Sequence, residues 1–124
     1  MSSDNFGANP AFIKWKVVRG DTSVLRVEFY ERDEENPYTT DNWVYLCTVY
    51  NRRTKQFFNL DVVDGGGFAT ITATAETTAQ WGVGTNDLVA QLDFDLEVTI
   101  DEDIVWTPVI GTISVIGDIT GRDA

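Results

Sequence analysis

Apolar residues recur at every second position over long stretches of this chain, and a period of two dictates extended structure. The longest case is DLVAQLDFDLEVTID, residues 87–101. Leu88, Ala90, Leu92, Phe94, Leu96, Val98 and Ile100 fall on one face. Val89, Gln91, Asp93, Asp95, Glu97, Thr99 and Asp101 fall on the other. A helix would spread those carboxylates round its circumference, so the stretch predicts a half-buried antiparallel strand with one wet face. TSVLRVEFYE, residues 22–31, alternates in the same way, with Leu25, Val27 and Phe29 inward. The predicted core is therefore Leu25, Val27, Phe29, Leu92, Phe94 and Leu96.

WVYLCTVYN, residues 43–51, is apolar on both faces, which predicts a central strand. FIKWKVV, KQFFNLDVV and FATITAT add three more strands. The polar NRRT suits one hairpin loop, and DGGG at 64–67 supplies positive-φ positions for another. AETTAQWGVG, residues 75–84, breaks the alternation. Thr74 as N-cap and Gly82 as stop predict one or two helical turns there. IVWTPVIGTISVIGDIT closes the chain as a returning strand. About seven strands with turns every 8–12 residues predict an all-β antiparallel sandwich with one short helical turn. Residues 1–11 are polar and small and predict a flexible arm, leaving 12–124 as the domain.

The last strand raises a question, because TPVIGTISVIGDIT is apolar on both faces. Ile110, Ile116 and Ile119 are set against Val109, Ile113 and Val115 when no bulge intervenes. A bulge at Gly111 or Gly117 would swap faces and hide the excess inside. Otherwise a neighbouring subunit covers it. The candidate contact residues are thus Ile110, Ile116 and Ile119, with Phe6 and Asn9 in the arm.

Composition narrows the chemistry. The 124 residues suit one domain, and the 43% hydrophobic and 23% charged shares are globular. The net charge of -11 disfavours nucleic acid and anionic membrane surfaces. There is no histidine, which removes the commonest general base, histidine-activated nucleophiles and histidine-ligated zinc. The single cysteine, Cys47, allows no intrachain disulfide or multi-cysteine metal site and reads as a buried hydrophobe. The opening MSSDNFGANP lacks the basic start and apolar stretch of a secretory signal, so synthesis in a reducing cytoplasm is expected.

Carboxylates are the plentiful reactive groups. Asp93, Asp95 and Glu97 at two-residue spacing, and Asp101 with Asp103, have the pattern of a hydrolase pair or a calcium site. They read more simply as a solvated strand face and an acidic turn. Lys14, Lys16 and Arg19 cluster near the first strand, and Arg52, Arg53 and Lys55 in a loop. The expectation is no catalytic, cofactor-binding or metal residues, no cofactor and no enzyme.

Three local patterns together resemble a known family. They are KVVRGDTSVLRVEF at 16–29, TATAETTAQWGVGTNDLVAQLDFDL at 72–96 and VIGTISVIGDIT at 109–120. Their order resembles the Ig-like N-terminal domain of the upper baseplate protein of tailed bacteriophages. The likeness spans roughly residues 12–120, with residues 31–66 matching only as strands and loops. It implies an Ig-like sandwich in a non-enzymatic virion protein, assembled in the bacterial host's cytoplasm. Such a protein would sit in the tail, baseplate or fibre attachment region and bind copies of itself and other virion proteins. A capsid decoration protein is the alternative within that class. Outside it stands a carbohydrate-binding module for host attachment, with Trp15, Trp43, Trp81, Trp106 and the tyrosines as a stacking platform.

Overall fold

The computed structural model describes residues 10–29, 42–84, 87–100 and 104–117. Seven strands follow in chain order: β1 Ala11–Val18, β2 Ser23–Glu28, β3 Trp43–Asn51, β4 Gln56–Asp64, β5 Phe68–Ala73, β6 Leu88–Ile100 and β7 Ile104–Ile116. One helical turn, α1 Ala75–Thr78, separates β5 from β6. Thr74 caps it by accepting the Thr77 backbone N–H at 3.2 Å, and Gly82 at φ 94° turns the chain away.

The strands are hydrogen-bonded in the order β1-β7-β6-β3-β4-β5-β2, and they divide into two layers at β4. Its first half, Gln56–Leu60, pairs with β3. Its second half, Asp61–Asp64, pairs with β5, which in turn pairs with β2. The layers are thus β1-β7-β6-β3-β4 and β4-β5-β2. All pairings are antiparallel except β1 with β7. Strands two and five on one layer, and three, six and seven on the other, make this an Ig-like β-sandwich.

Inward side chains of both layers form one core that includes Val17, Val49, Ile71, Leu92, Leu96, Ile113 and Val115. The layers also meet through polar and aromatic contacts. Trp15 Nε1 donates to Ser23 Oγ at 3.0 Å, and Phe29 meets Trp43 edge-on with centroids 5.2 Å apart. Of the predicted core, Val27, Phe29, Leu92, Phe94 and Leu96 are buried. Leu25 is only half-buried, at the margin of the core.

Alternation along β6 holds from Leu92 to Ile100 and fails before it. Between Leu88 and Ala90, β6 advances two residues while β7 advances one. The extra residue, Val89, is a bulge that turns Leu88 outward, where it is 56% exposed rather than inward as its parity predicts. A second irregularity lies on β7. There the four residues Trp106 to Val109 oppose the three residues Leu96 to Val98 of β6. It falls at Pro108, which has no N–H to give a ladder, and it leaves Pro108 and Val109 buried in succession. The ladder runs through Gly111 without a shift. The bulge offered at Gly111 or Gly117 as the alternative to a covering neighbour is therefore absent from Gly111, and the irregularity sits at Pro108 instead.

The three sequence patterns converge at one end of the sandwich. Thr78 of α1 is fully buried. Its hydroxyl accepts from the Gly20 backbone N–H at 3.0 Å and donates to the Asp21 carbonyl at 2.8 Å. Arg19 N donates to the Ile116 carbonyl at 2.9 Å, tying the same turn to β7. Arg19 Nη2 reaches the Gly84 carbonyl at 3.1 Å, beyond α1. The β1–β2 turn, the helical turn and the last strand are thus one hydrogen-bonded junction, so these residues act in the fold rather than in a site.

Candidate functional site

Outward positions of the five-stranded layer are not uniformly polar. Phe12 on β1, Val44 and Leu46 on β3, Phe57 on β4, and Val105 and Ile110 on β7 are all exposed. The register orders them into rows. Phe12 pairs with Ile110, Ile110 with Asp95, and Asp95 with Thr48. Thr112 pairs with Asp93, Asp93 with Tyr50, and Tyr50 with Phe57. Tyr50 and Phe57 lie ring against ring, with centroids 4.5 Å apart. Such a cross-strand aromatic pair stabilises a hairpin by roughly 0.2–1 kcal/mol.

These rows enclose an open groove of about 650 Å³. Phe12 and Ile110 form one wall, and Tyr50, Arg52 and Phe57 the other. Thr48, Asp93, Asp95 and Thr112 make the floor. Beyond it the apolar band continues through Leu46, Val44 and Val105, the last two paired to Thr99. The centre of the face is thus an acidic stripe on β6 flanked by apolar side chains on both sides.

The stripe is less wet than its sequence pattern predicts. Asp93, Asp95 and Glu97 are each half-buried, because β3 and β7 crowd them on either side. Arg52 reaches Asp93 with 2.6 Å between Nε and Oδ2. The arginine is 79% exposed, so this pair contributes about 0–1 kcal/mol. Among the described residues, neither Asp95 nor Glu97 has a hydrogen-bond or ion-pair partner. Burial first, and Glu97 second, push the Asp95 carboxyl above its ordinary range.

That shift has a sign in stability. A carboxyl whose folded pKa exceeds its unfolded one binds protons more tightly in the native state. Its contribution is present below the unfolded value and lost as pH rises through the folded one. Among the described residues, the other charges on this face are Asp93 and Glu97 on β6, Lys14 and Lys16 on β1, Arg52 after β3 and Asp61 on β4. Asp95→Asn is expected to raise the melting temperature at neutral pH and to leave it little changed in acid. Melting curves across that range check this, and a variant destabilised most at neutral pH would contradict it.

Ile110, 38% exposed, and Ile116, half-buried, both face away from Val109, Ile113 and Val115. Ile116 lies between Val18 and Leu88 in the register. Strict alternation counts Ile119 with Val115, so without a bulge it does not join Ile110 and Ile116 on one face, which corrects their grouping above. Ile119, Phe6, Asn9, Asp101 and Asp103 lie outside the described residues. Cys47 is fully buried. Burial, and secondarily Asp95, push its thiol up to about 12, so it holds no thiolate at neutral pH. Among the described residues, no three metal-ligating side chains converge.

The tryptophans do not form a stacking platform. Trp15 and Trp81 are buried, and Trp43 and Trp106 are partly buried against the core. Among the described residues, the strongly exposed aromatics are Phe12 and Phe57, which were not platform candidates by sequence, while of the tyrosines half-buried Tyr50 lies against Phe57. Grouping Phe12 with Phe57 needs the strand order, which alternation does not supply. The Tyr50–Phe57 pair alone had a local signal, since both residues flank the NRRT hairpin loop.

No protein-family model and no curated protein matches the chain. Among solved structures, the chain is similar to the ZIG-8–RIG-5 IG1–IG1 heterodimer in its monoclinic crystal form. The identity is 9% and the TM-score 0.38, over 89% of this chain and 85% of that one. The Ig-like assignment rests on strand order and register, not on that likeness.

Proposed function

We propose that this protein is a non-enzymatic structural module of a tailed-bacteriophage particle, docking onto virion proteins through the outer face of its five-stranded layer. The observation that carries the docking role is the apolar band of Phe12, Ile110, Phe57, Leu46, Val44 and Val105 around the groove. A sheet face meant only for water alternates cleanly to polar residues, and contiguous exposed apolar surface marks contact sites. The phage setting is supported by the three sequence patterns, which resemble an Ig-like baseplate domain. The tail, baseplate or fibre attachment region is the position this reading favours.

Phe57 and Ile110 are the residues to test, because both reach solvent. Ile116, half-buried between Val18 and Leu88, would report stability as much as contact. Each side chain contributes roughly 1.5–3 kcal/mol on full burial, or about ten- to a hundredfold in affinity. Phe57→Asp with Ile110→Asp is expected to lower the melting temperature modestly, through the lost Tyr50–Phe57 contact and a carboxylate set opposite Asp95, to leave the protein folded, and to empty it from purified particles. Quantitative mass spectrometry of those particles checks it. Wild-type occupancy would place the contact surface elsewhere. Labelling of the wild-type protein on the head rather than the tail would make it a decoration protein.

A further inference from the structure

The outer face holds more information than its apolar area, because two carboxylates with no partner among the described residues select what can cover it. Asp95 and Glu97 are two residues apart on β6, so in extended backbone they stand about 6–7 Å apart on one line. Both are half-buried, with Ile110 and Thr48 beside Asp95 and Leu46 beside Glu97 in the register. Covering them with an apolar or acidic surface would strand two charges out of water, which is strongly unfavourable. A partner that seats on the apolar band must therefore bring cations to these two positions.

A second copy of the chain does not bring them. Its exposed lysines on the same face are Lys14 and Lys16 on β1. Lys14 is level with Thr112 and Asp93, and Lys16 with Ser114 and Gln91. A two-fold copy laid along β7 would set these lysines against Asp93 and Gln91. Asp93 already holds Arg52, while Asp95 and Glu97 would face Phe12 and the neighbouring apolar side chains. A copy turned the other way would lay one acidic stripe on the other. The net charge of -11 on each chain adds to that repulsion.

We infer that this face takes an extended segment of a different, basic partner protein, with arginine or lysine at two alternate positions and a large apolar residue on either side. The two cations meet Asp95 and Glu97. One flanking apolar residue enters the groove between Phe12 and Phe57, and the other lies on Val44 and Val105. Alternation in the partner then matches alternation here, which is what two extended backbones allow. Charge-assisted contacts beside apolar walls are stronger than the same contacts in water. This inference rests on reading the face as a docking surface, and it names the chemistry of what docks.

The test uses the intact protein, labelled with nitrogen-15, and a blocked peptide of sequence leucine-serine-arginine-serine-arginine-serine-leucine. Its twin carries citrulline, the uncharged isostere, in place of both arginines. Saturable amide shifts confined to the surroundings of Thr48, Asp95, Glu97 and Ile110 are expected with the arginine peptide. Binding should weaken at least about tenfold with the citrulline twin, and equally in the Asp95→Asn, Glu97→Gln double variant. Absence of saturable shifts, or equal binding of the two peptides, overturns the inference. So do shifts at these amides produced by a neutral oligosaccharide such as cellohexaose but not by the peptide. Shifts that instead follow the protein's own dilution would make the occupant a second copy and overturn it as well. Should the peptide fail while the Phe57→Asp, Ile110→Asp variant still empties the particle, the basic partner falls and the docking face stands.

Discussion

Phe94→Ala is expected to lower the unfolding free energy by about 3–5 kcal/mol, through lost transfer energy and the cavity left behind. Phe94 is 4% exposed at the middle of β6. Its ring meets Trp15 edge-on with centroids 5.7 Å apart, so the substitution also removes a favourable aromatic contact between two strands of the same layer. Trp15 in turn holds Ser23 of the other layer, so the loss reaches across the sandwich. Denaturant titration measures it. Asp95→Asn, one position on and facing out, serves as the control and should show no comparable loss. Equal losses in the two variants would mean that β6 presents its faces the other way round.

Gly111→Val is expected to cost about 3 kcal/mol or more, for the opposite reason. A Cβ at Gly111 would overlap the Ile13 carbonyl oxygen and come within 2.9 Å of Phe94 Cε1. Ile13 is the register partner of Gly111 on β1. The obstruction is backbone, which cannot rotate aside, so relief requires β1 to move away from β7. Overpacking usually costs about 1–3 kcal/mol, and an obstruction of this kind belongs at or above the top of that range. Hydrogen exchange should show protection lost along Ala11–Val18 before the rest of the sheet opens. Thr112→Val, on the outer face, should leave stability within about 1 kcal/mol. A Gly111→Val protein with wild-type exchange in β1 would refute this account of the glycine.

Gly111 also shows where sequence reading stops. Its place in an apolar strand marks it as special, and a bulge is the usual reason. Here the reason is the close approach of a parallel neighbour, which no local pattern announces. The signal for the real irregularity was Pro108, since a proline inside a strand cannot serve the ladder. Leu88 failed for a related cause. One extra residue, Val89, reverses parity for everything before it, and valine carries no mark of a bulge. By contrast, Leu92 to Ile100, the helical turn after Thr74 and the central place of β3 follow from period, cap and two-sided apolarity.

The groove was legible only in fragments. Asp93, Asp95 and Glu97 stood out as a row, but their half-burial depends on which strands flank β6. Phe12 and Phe57 come from strands at the two edges of the five-stranded layer, and only the order β1-β7-β6-β3-β4 puts them on either side of one stripe. Alternation fixes which way a side chain points. It does not say whose side chain stands beside it.

The parallel pairing of β1 with β7 has a consequence for biosynthesis. Among the described residues, Ala11–Val18 finds its strand partner only in Val109–Ile116, at the far end of the described chain. While the ribosome is still translating the intervening strands, the first strand has no ladder to join. Trp15 and Val17 then lack the layer that buries them. The hairpins β3–β4 and β4–β5 can close from neighbouring residues, but the edge of the five-stranded layer closes last. Nascent chains stalled before β7 are therefore expected to display a sticky leading segment, a natural substrate for a holding chaperone until the final strand emerges.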